Sequence, residues 1–162
     1  MTKIQKGYIP GSIGRIAEMH GKYYAENWHF GHYFEAKVAT ELSEFVTRYD
    51  RKTDGIWVVV QNGRVEGSIV IDGVHTQDED AHLRWFITSD ELRGKGYGNR
   101  LLQEAIIFCK AQNYPRVYLW TFEGLDAARK LYEKAGFVLE YEKRGQQWGT
   151  EVTEQKFILR VE

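Results

Sequence analysis

The sequence predicts an α/β fold with a mixed, mostly antiparallel central sheet. Two observations support this prediction. The first third of the chain has apolar residues at helical spacing, whereas short β-branched runs alternate with helical segments from Ile56 onward. A strand, a glycine-rich segment, a helix and another strand then follow one another between Ala81 and Phe122. This order predicts a parallel β-α-β unit with a right-handed crossover.

Two helices are expected at the N-terminal end. Ser12 is placed as the N-cap of the first helix, since a serine side chain can accept a hydrogen bond from a first-turn amide. A second apolar stripe predicts a helix over residues 34–49. Residues 28–33, Trp-His-Phe-Gly-His-Tyr, are interpreted as an aromatic loop between the two helices.

A hairpin and a third strand follow. The apolar runs at residues 56–60 and 65–71 predict two antiparallel strands, because the Asn62-Gly63 pair between them tolerates positive φ. Residues 73–80 are polar and predict a loop, and residues 81–88 predict the third strand.

The second half alternates helices and strands. A helix is expected over residues 98–112, and Gly136 is expected to end a later helix in a left-handed cap. The remaining predicted elements are a strand at 116–122, a helix at 126–135, and two closing strands at 137–141 and 153–161.

Composition limits the classes of function. The 162 residues predict one domain, 1–162, with 22 basic and 23 acidic residues. A nucleic-acid partner is not expected, because such binders usually have a basic surplus. No apolar run approaches the roughly 18 residues of a membrane helix, so we expect no membrane partner and a cytoplasmic location. The one cysteine, Cys109, excludes an intramolecular disulfide.

The strongest chemical signal lies between a strand and a helix. The glycines allow a ligand to approach the backbone closely, and the first amides of a helix favour anions. The segment fits neither a P-loop nor a dinucleotide fingerprint, so the pattern alone predicts a phosphate or pyrophosphate site, or a turn without a ligand. This glycine-rich segment consists of Arg93, Gly94, Lys95, Gly96, Tyr97, Gly98 and Asn99.

Two motifs in the expected order resemble a known family. Arg93-x-x-Gly96-x-Gly98 is similar to the R/Q-x-x-G-x-G/A signature of the GNAT N-acetyltransferase superfamily, and residues 131–137 resemble its LYEK-x-GF segment. More narrowly, the aromatic N-terminal helices and residues 119–121 and 127–129 resemble the acetyltransferase half of MarR-type regulator fusions, here as a stand-alone domain.

The resemblance implies a β-α-β acetyl-CoA-binding core. In such proteins acetyl-CoA is the co-substrate, and the amides from Gly94 to Asn99 would bind its pyrophosphate with Arg93 at the first signature position. The preceding strand, at Phe86, Ile87 and Thr88, would pair with the pantetheine arm. That strand is expected to bulge and to separate from the next, leaving one amide to polarise the thioester. No metal is required.

Two side chains are candidates for proton transfer. Tyr132 aligns with the tyrosine that protonates the departing CoA thiolate in the family, whereas its place on an apolar stripe favours a core tyrosine. His82 occupies the position where some relatives have a glutamate base, and alternation would place it on one strand face with Arg84 and Phe86. A solvent-exposed histidine at the strand end, with a water chain as the base, is the alternative.

The acceptor end gives weaker signals. Relatives often have an asparagine where this chain has Leu125. His29-x-x-His32 lacks a third metal ligand in pattern and is interpreted as a polar loop edge. His20 is interpreted as a buried histidine or as one that faces the acceptor. Further candidate acceptor contacts are Tyr24, Trp28, His32, Phe34 and Trp148.

The sequence therefore predicts an N-acetyltransferase. A primary amine on a small molecule or peptide would attack acetyl-CoA directly in a ternary complex. The alternatives are a non-catalytic sensor of CoA or acyl-CoA and a glycine-loop mononucleotide binder. Edge strands and the aromatic content of 14% favour a homodimer.

Overall fold

The predicted α/β class with a mixed, mostly antiparallel sheet is confirmed. The computed structural model describes residues 1–73 and 80–161. Its elements are β1 (Thr2–Lys6), α1 (Ser12–Trp28), α2 (His32–Thr47), β2 (Gly55–Gln61), β3 (Arg64–Asp72), β4 (Ala81–Thr88), a 3₁₀ turn (Asp90–Leu92), α3 (Tyr97–Ala111), β5 (Arg116–Phe122), α4 (Asp126–Ala135), β6 (Val138–Gly145) and β7 (Val152–Arg160).

Within the described residues the sheet has seven strands in the order β1-β2-β3-β4-β5-β7-β6. Only the pairing of β4 with β5 is parallel, as the β-α-β pattern predicted. The β2–β3 hairpin turns at Asn62 and Gly63, with φ of 52° and 77°. Both values are positive, as this turn requires.

Helices cover both faces of the sheet. On one face α1 and α2 pack on β2 and β3 through a core that includes Ile16, Leu42, Phe45, Val58 and Val70. On the other face α3 and α4 pack on the sheet through a second core that includes Leu101, Leu102, Leu119, Phe137 and Phe157. Cys109 of α3 is fully buried in this second core.

The N-terminal expectations need three corrections. Ser12 is not the N-cap of α1: Gly11 takes that position at φ 95°, and the Ser12 hydroxyl instead donates to the Ile9 carbonyl over 2.7 Å. Helix α2 begins at His32 and ends at Thr47, two residues earlier than predicted at each end. Strand β1 was not predicted at all, because its lysines and glutamine hide the pattern of a strand that is half-buried beside β2.

In the C-terminal half the observed elements agree more closely with the predicted ones. Gly136 ends α4 at φ 106°, in the left-handed region predicted for it. Strand β6 extends to Gly145, further than predicted, because its charged residues lie on an exposed edge strand. Of the loop predicted at 73–80, residues 74–79 lie outside the described residues. Across the described ranges, no helix combines the length and the apolar character that crossing a bilayer requires.

Candidate functional site

The site begins where β4 and β5 separate. Their parallel pairing has only two registered pairs, Ala81 with Val117 and His82 with Tyr118. Beyond these pairs a cavity of about 350 Å³ lies between the strands, lined by residues 83–86 of β4 and 119–122 of β5. The separation leaves the β5-facing edge of residues 83–88 without a registered strand partner.

A β-bulge interrupts β4 at the wall of this cavity. Ser68 of β3 pairs with Ile87 and Val70 pairs with Arg84, so Trp85 and Phe86 both lie opposite one residue of β3. Trp85 has a φ of 47°, which is uncommon for a bulky side chain. The buried Ser68 hydroxyl donates to the Trp85 carbonyl over 2.7 Å, which stabilises the bulge. A bulge leaves a backbone group outside the ladder, here beside the cavity.

The bulge also corrects one expectation. Strict alternation placed His82, Arg84 and Phe86 on the same face, but the extra residue reverses the alternation. Phe86 therefore packs with the α3 and α4 core, whereas Arg84 pairs with Glu41 of α2 on the opposite face.

Tyr132 of α4 is buried and also lines the cavity. Its ring centroid lies 6.0 Å from that of Phe86 and 5.8 Å from that of Phe137. Burial raises the pKa of Tyr132 well above its usual value, so the phenol stays protonated. Among the described residues its hydroxyl has no hydrogen-bond partner. Tyr132 is therefore a core residue that also lines the cavity, and its role as general acid stays a prediction.

His82 lines the same cavity from the start of β4. Its ring stacks on Tyr118 at a centroid distance of 4.4 Å and an interplanar angle of 14°. The structure thus places both candidate proton-transfer residues, Tyr132 and His82, around one cavity.

The glycine-rich loop follows β4 and the 3₁₀ turn. Gly94 and Gly96 have φ of 74° and 79°, a region that favours glycine. The first amides of α3 have no acceptor within the helix and can face an anion. The Lys95 amide is used differently, since it donates to the Leu92 carbonyl over 3.2 Å. Arg93 is exposed and paired with the Asp90 carboxylate, which raises the pKa of Arg93.

The loop does not line the cavity, but α3 connects the two. A methyl group on Gly98 would lie 3.3 Å from Leu131 Cδ1 and 3.7 Å from Phe86 Cζ. The first turn of α3 therefore packs closely on a residue that lines the cavity. A continuous path leads from the loop amides along the β5-facing edge of β4 to the bulge. This path fits a long ligand that has a diphosphate at one end and a thioester at the other.

One side of the cavity, termed here the helix side, is lined by aromatic side chains of α1, α2, the end of β5 and the turn after β6. Tyr24 lies 5.0 Å from Phe34 and 5.9 Å from Phe122 between ring centroids, and Phe122 lies 5.7 Å from Trp148. These four side chains and His20 line the cavity. Three of the aromatic side chains, Tyr24, Phe34 and Trp148, were predicted as acceptor contacts.

Two other predicted contacts do not line the cavity. Trp28 packs behind it, edge-on to Phe122 at 5.0 Å, and His32 is exposed at the start of α2. Trp28 is the last residue of α1 and His32 is the first residue of α2.

A network of ion pairs that the sequence analysis did not find forms part of the wall. Arg84 pairs with Asp72 at 3.0 Å and also with Glu41, which in turn pairs with Lys37 at 2.6 Å. Arg48 adds a second pair to Asp72 at 2.8 Å. The only signal in the sequence was the i,i+4 spacing of Lys37 and Glu41, because the other partners lie far apart along the chain.

Comparison with known proteins identifies the family. A family model described as the acetyltransferase (GNAT) family matches residues 15–137. The chain belongs to this family. The GNAT domain is therefore established, as the two motifs predicted, whereas the narrower resemblance to MarR-type fusions stays a prediction.

Curated relatives of this GNAT chain include two N-acetylaspartate synthetases. The Homo sapiens protein is 34% identical over 107 residues, covering 65% of this chain and 35% of the relative. The Danio rerio protein is 32% identical over 120 residues, covering 74% of this chain and 42% of the relative. The chain thus spans well under half the length of these relatives.

Solved structures share the fold at low identity. An acetyltransferase of the GNAT family from Staphylococcus aureus has a TM-score of 0.77 at 16% identity, covering 100% of both chains. A Salmonella typhimurium protein solved with its cofactor acetyl-CoA has a TM-score of 0.77 at 15% identity, covering 99% of this chain and 94% of that chain.

Two further features of the GNAT domain bear on its chemistry. Leu125 lines the cavity with an apolar side chain, at the position where the family resemblance led us to expect an asparagine. In the described part of the chain, no three His, Cys, Asp or Glu residues cluster in a way that could hold a metal ion.

Proposed function

We propose that this GNAT domain is an N-acetyltransferase that moves an acetyl group from acetyl-CoA to a primary amine of a small-molecule or peptide acceptor. The observation that carries the proposal is the single cavity bounded by the bulge at Trp85 and Phe86, by Tyr132 and by His82. These groups supply a backbone amide, an acid and a base to one space.

The donor would bind along β4. The amides of Gly94 and of the first turn of α3 would bind its diphosphate, with the Arg93 and Lys95 side chains as nearby cations. The arm would pair with the unpartnered edge of residues 86–88 as an added strand. The Salmonella typhimurium structure with acetyl-CoA, on the same fold, supports this co-substrate.

The proposed reaction needs two proton transfers. The amine nitrogen bonds to the thioester carbon, and the carbon–sulfur bond breaks with its electron pair on sulfur. The bulge amide near Phe86–Thr88 stabilises the negative charge on the oxygen. His82 accepts the proton that the amine loses, and the Tyr132 hydroxyl donates a proton to the departing thiolate.

The test is acetyl-CoA binding by titration together with release of free CoA thiol. The acceptor panel contains aspartate, because relatives are N-acetylaspartate synthetases, with spermidine, a lysine-containing peptide and phenethylamine. We expect binding of acetyl-CoA and thiol release with at least one amine. Binding without release on every acceptor favours the sensor alternative, and effective competition by ATP favours the mononucleotide binder.

Two attributes from the sequence stay predictions beside this proposal. A cytoplasmic location and a homodimer both await direct measurement, by fractionation of cells and by sedimentation of the purified protein.

A further inference from the structure

His20 lines the cavity and has one ring nitrogen without a hydrogen-bond partner among the described residues. Its side chain lines the cavity although the residue is only 5% exposed. Nδ1 lies 2.9 Å from the Ile16 carbonyl oxygen, which can only accept, so Nδ1 carries the hydrogen. In the neutral ring Nε2 is then an acceptor, and no hydrogen bond from the described residues reaches it.

Burial keeps the His20 ring neutral. Loss of water around it lowers the pKa of His20 to about 4, so near neutral pH the ring offers a lone pair and no charge. The helix side of the cavity therefore contains a fixed site for an N–H or O–H group of a ligand.

Aromatic faces surround this site. The His20 ring stacks on Tyr24 at 6.2 Å and lies 6.3 Å from Phe34. Phe122 and Trp148 extend the aromatic wall. Flat rings of this kind accommodate another ring by stacked or edge-on contact.

The nearby cations are already paired. Lys37 and Arg84 line the cavity, but Glu41 binds both and Asp72 binds Arg84 as well. A ligand carboxylate would compete with Glu41 and Asp72 for these two cations. An acceptor without a carboxylate meets no such competition.

We infer that the acceptor is an arylalkylamine with a second hydrogen-bond donor, and that His20 Nε2 receives this donor. The inference rests on the proposed N-acetyltransferase function and names its substrate class. His20 then determines specificity among arylalkylamines.

The experiment compares amines that differ by one donor. Phenethylamine is paired with tyramine, with 2-amino-1-phenylethanol and with tryptamine, and thiol release gives kcat/KM for each. The variants are His20→Phe, which removes the acceptor, His20→Gln, which keeps one, and the exposed His29→Asn as the control. The Kd of acetyl-CoA is measured for all.

We expect the wild type to prefer at least one donor-bearing amine over phenethylamine by roughly five- to tenfold, the effect of one hydrogen bond. His20→Phe removes this preference, His20→Gln keeps part of it, and His29→Asn keeps all of it. The Kd of acetyl-CoA is unchanged throughout. A merely structural role of His20 would lower the rates of all amines together.

Any other outcome overturns either the role of His20, the substrate class or the proposed function. A preference that survives in His20→Phe, or no preference in the wild type, overturns the role of His20. Acetylation of aspartate, spermidine or the peptide but of no arylalkylamine overturns the substrate class and leaves the proposed function intact. If none of the amines causes thiol release, the proposed function itself is contradicted.

A second measurement does not depend on a folded variant. In wild-type protein with ¹⁵N-labelled histidine, the Nε2 resonance of His20 is expected to shift when the preferred amine is added together with CoA. An unmoved resonance at saturating amine overturns the contact.

Discussion

Two regions of the molecule use different chemical groups. One region is the glycine-rich loop together with the β4 bulge, and the other is the helix side of the cavity. The first uses backbone groups: the amides around Gly94 and Gly96 and the interrupted ladder at Trp85. The second uses side chains, including His20 and Tyr24. Backbone sites need glycine at fixed positions and so leave a motif, whereas a side-chain wall leaves only a surplus of aromatic residues. The donor is therefore easier to infer from sequence than the acceptor.

The largest expected effect lies on the donor side. Tyr132→Phe keeps the ring that packs on Phe86 and Phe137 and removes only the acid, so kcat is expected to fall about 100-fold or more. The Kd of acetyl-CoA should stay the same. Steady-state thiol release and titration measure the two quantities.

The control for this prediction is Tyr23→Phe, which changes a tyrosine exposed on α1 outside the cavity. A Tyr132→Phe enzyme with wild-type turnover would remove the tyrosine from the mechanism and leave it as a core residue.

An intermediate effect is expected on the helix side of the cavity, where His20 should make the unfolding free energy depend on pH. Folding lowers the pKa of His20 from 6.5 to about 4, so the unfolded chain binds more protons between these values. The unfolding free energy should therefore fall as the pH drops from 6.5 towards 4, by about 3 kcal/mol from His20. Urea unfolding across this range measures the fall.

His20→Phe should lose this component of the pH dependence, and the exposed His29→Asn should keep it. Titratable groups that all three proteins share contribute equally and cancel in the comparison. Equal pH slopes for wild type and His20→Phe would show that His20 is not buried in its neutral form.

The smallest effect is expected in the loop. A methyl group on Gly96 meets nothing within 4 Å, so Gly96→Ala acts only through the φ of 79°. Strain of about 1 kcal/mol in the left-handed region should weaken acetyl-CoA binding roughly fivefold. Gly14→Ala in α1 is the matched control, because its methyl group also meets nothing and its backbone is helical. Equal Kd values for the two variants would contradict a role for this backbone conformation.

The sequence predicted most of the fold because its patterns are local. The Asn62-Gly63 turn, the cap at Gly136 and the parallel β-α-β unit all follow from short stretches of residues. Strand β1 and the end of β6 were missed, because their polar residues lie at or near sheet edges and hide the strand pattern.

The site was predicted less completely, for a physical reason. Tyr132 and His82 line one cavity, and their predicted roles in proton transfer stay predictions. The face predicted for Phe86 was wrong, because one extra residue in a strand moves every later side chain to the opposite face. The pairing of Arg84 with Glu41 and Asp72 joins three separate elements, which no local pattern reveals.

The buried thiol in α3 gives the molecule its own reporter. Burial raises the pKa of Cys109 to about 12, so the one sulfhydryl group of the native chain barely reacts with thiol-specific dyes near neutral pH. In a colorimetric assay the protein background stays low and the signal comes from released CoA. When the chain unfolds, the same atom becomes reactive, and its labelling rate then records how often the helix and the sheet beneath it come apart.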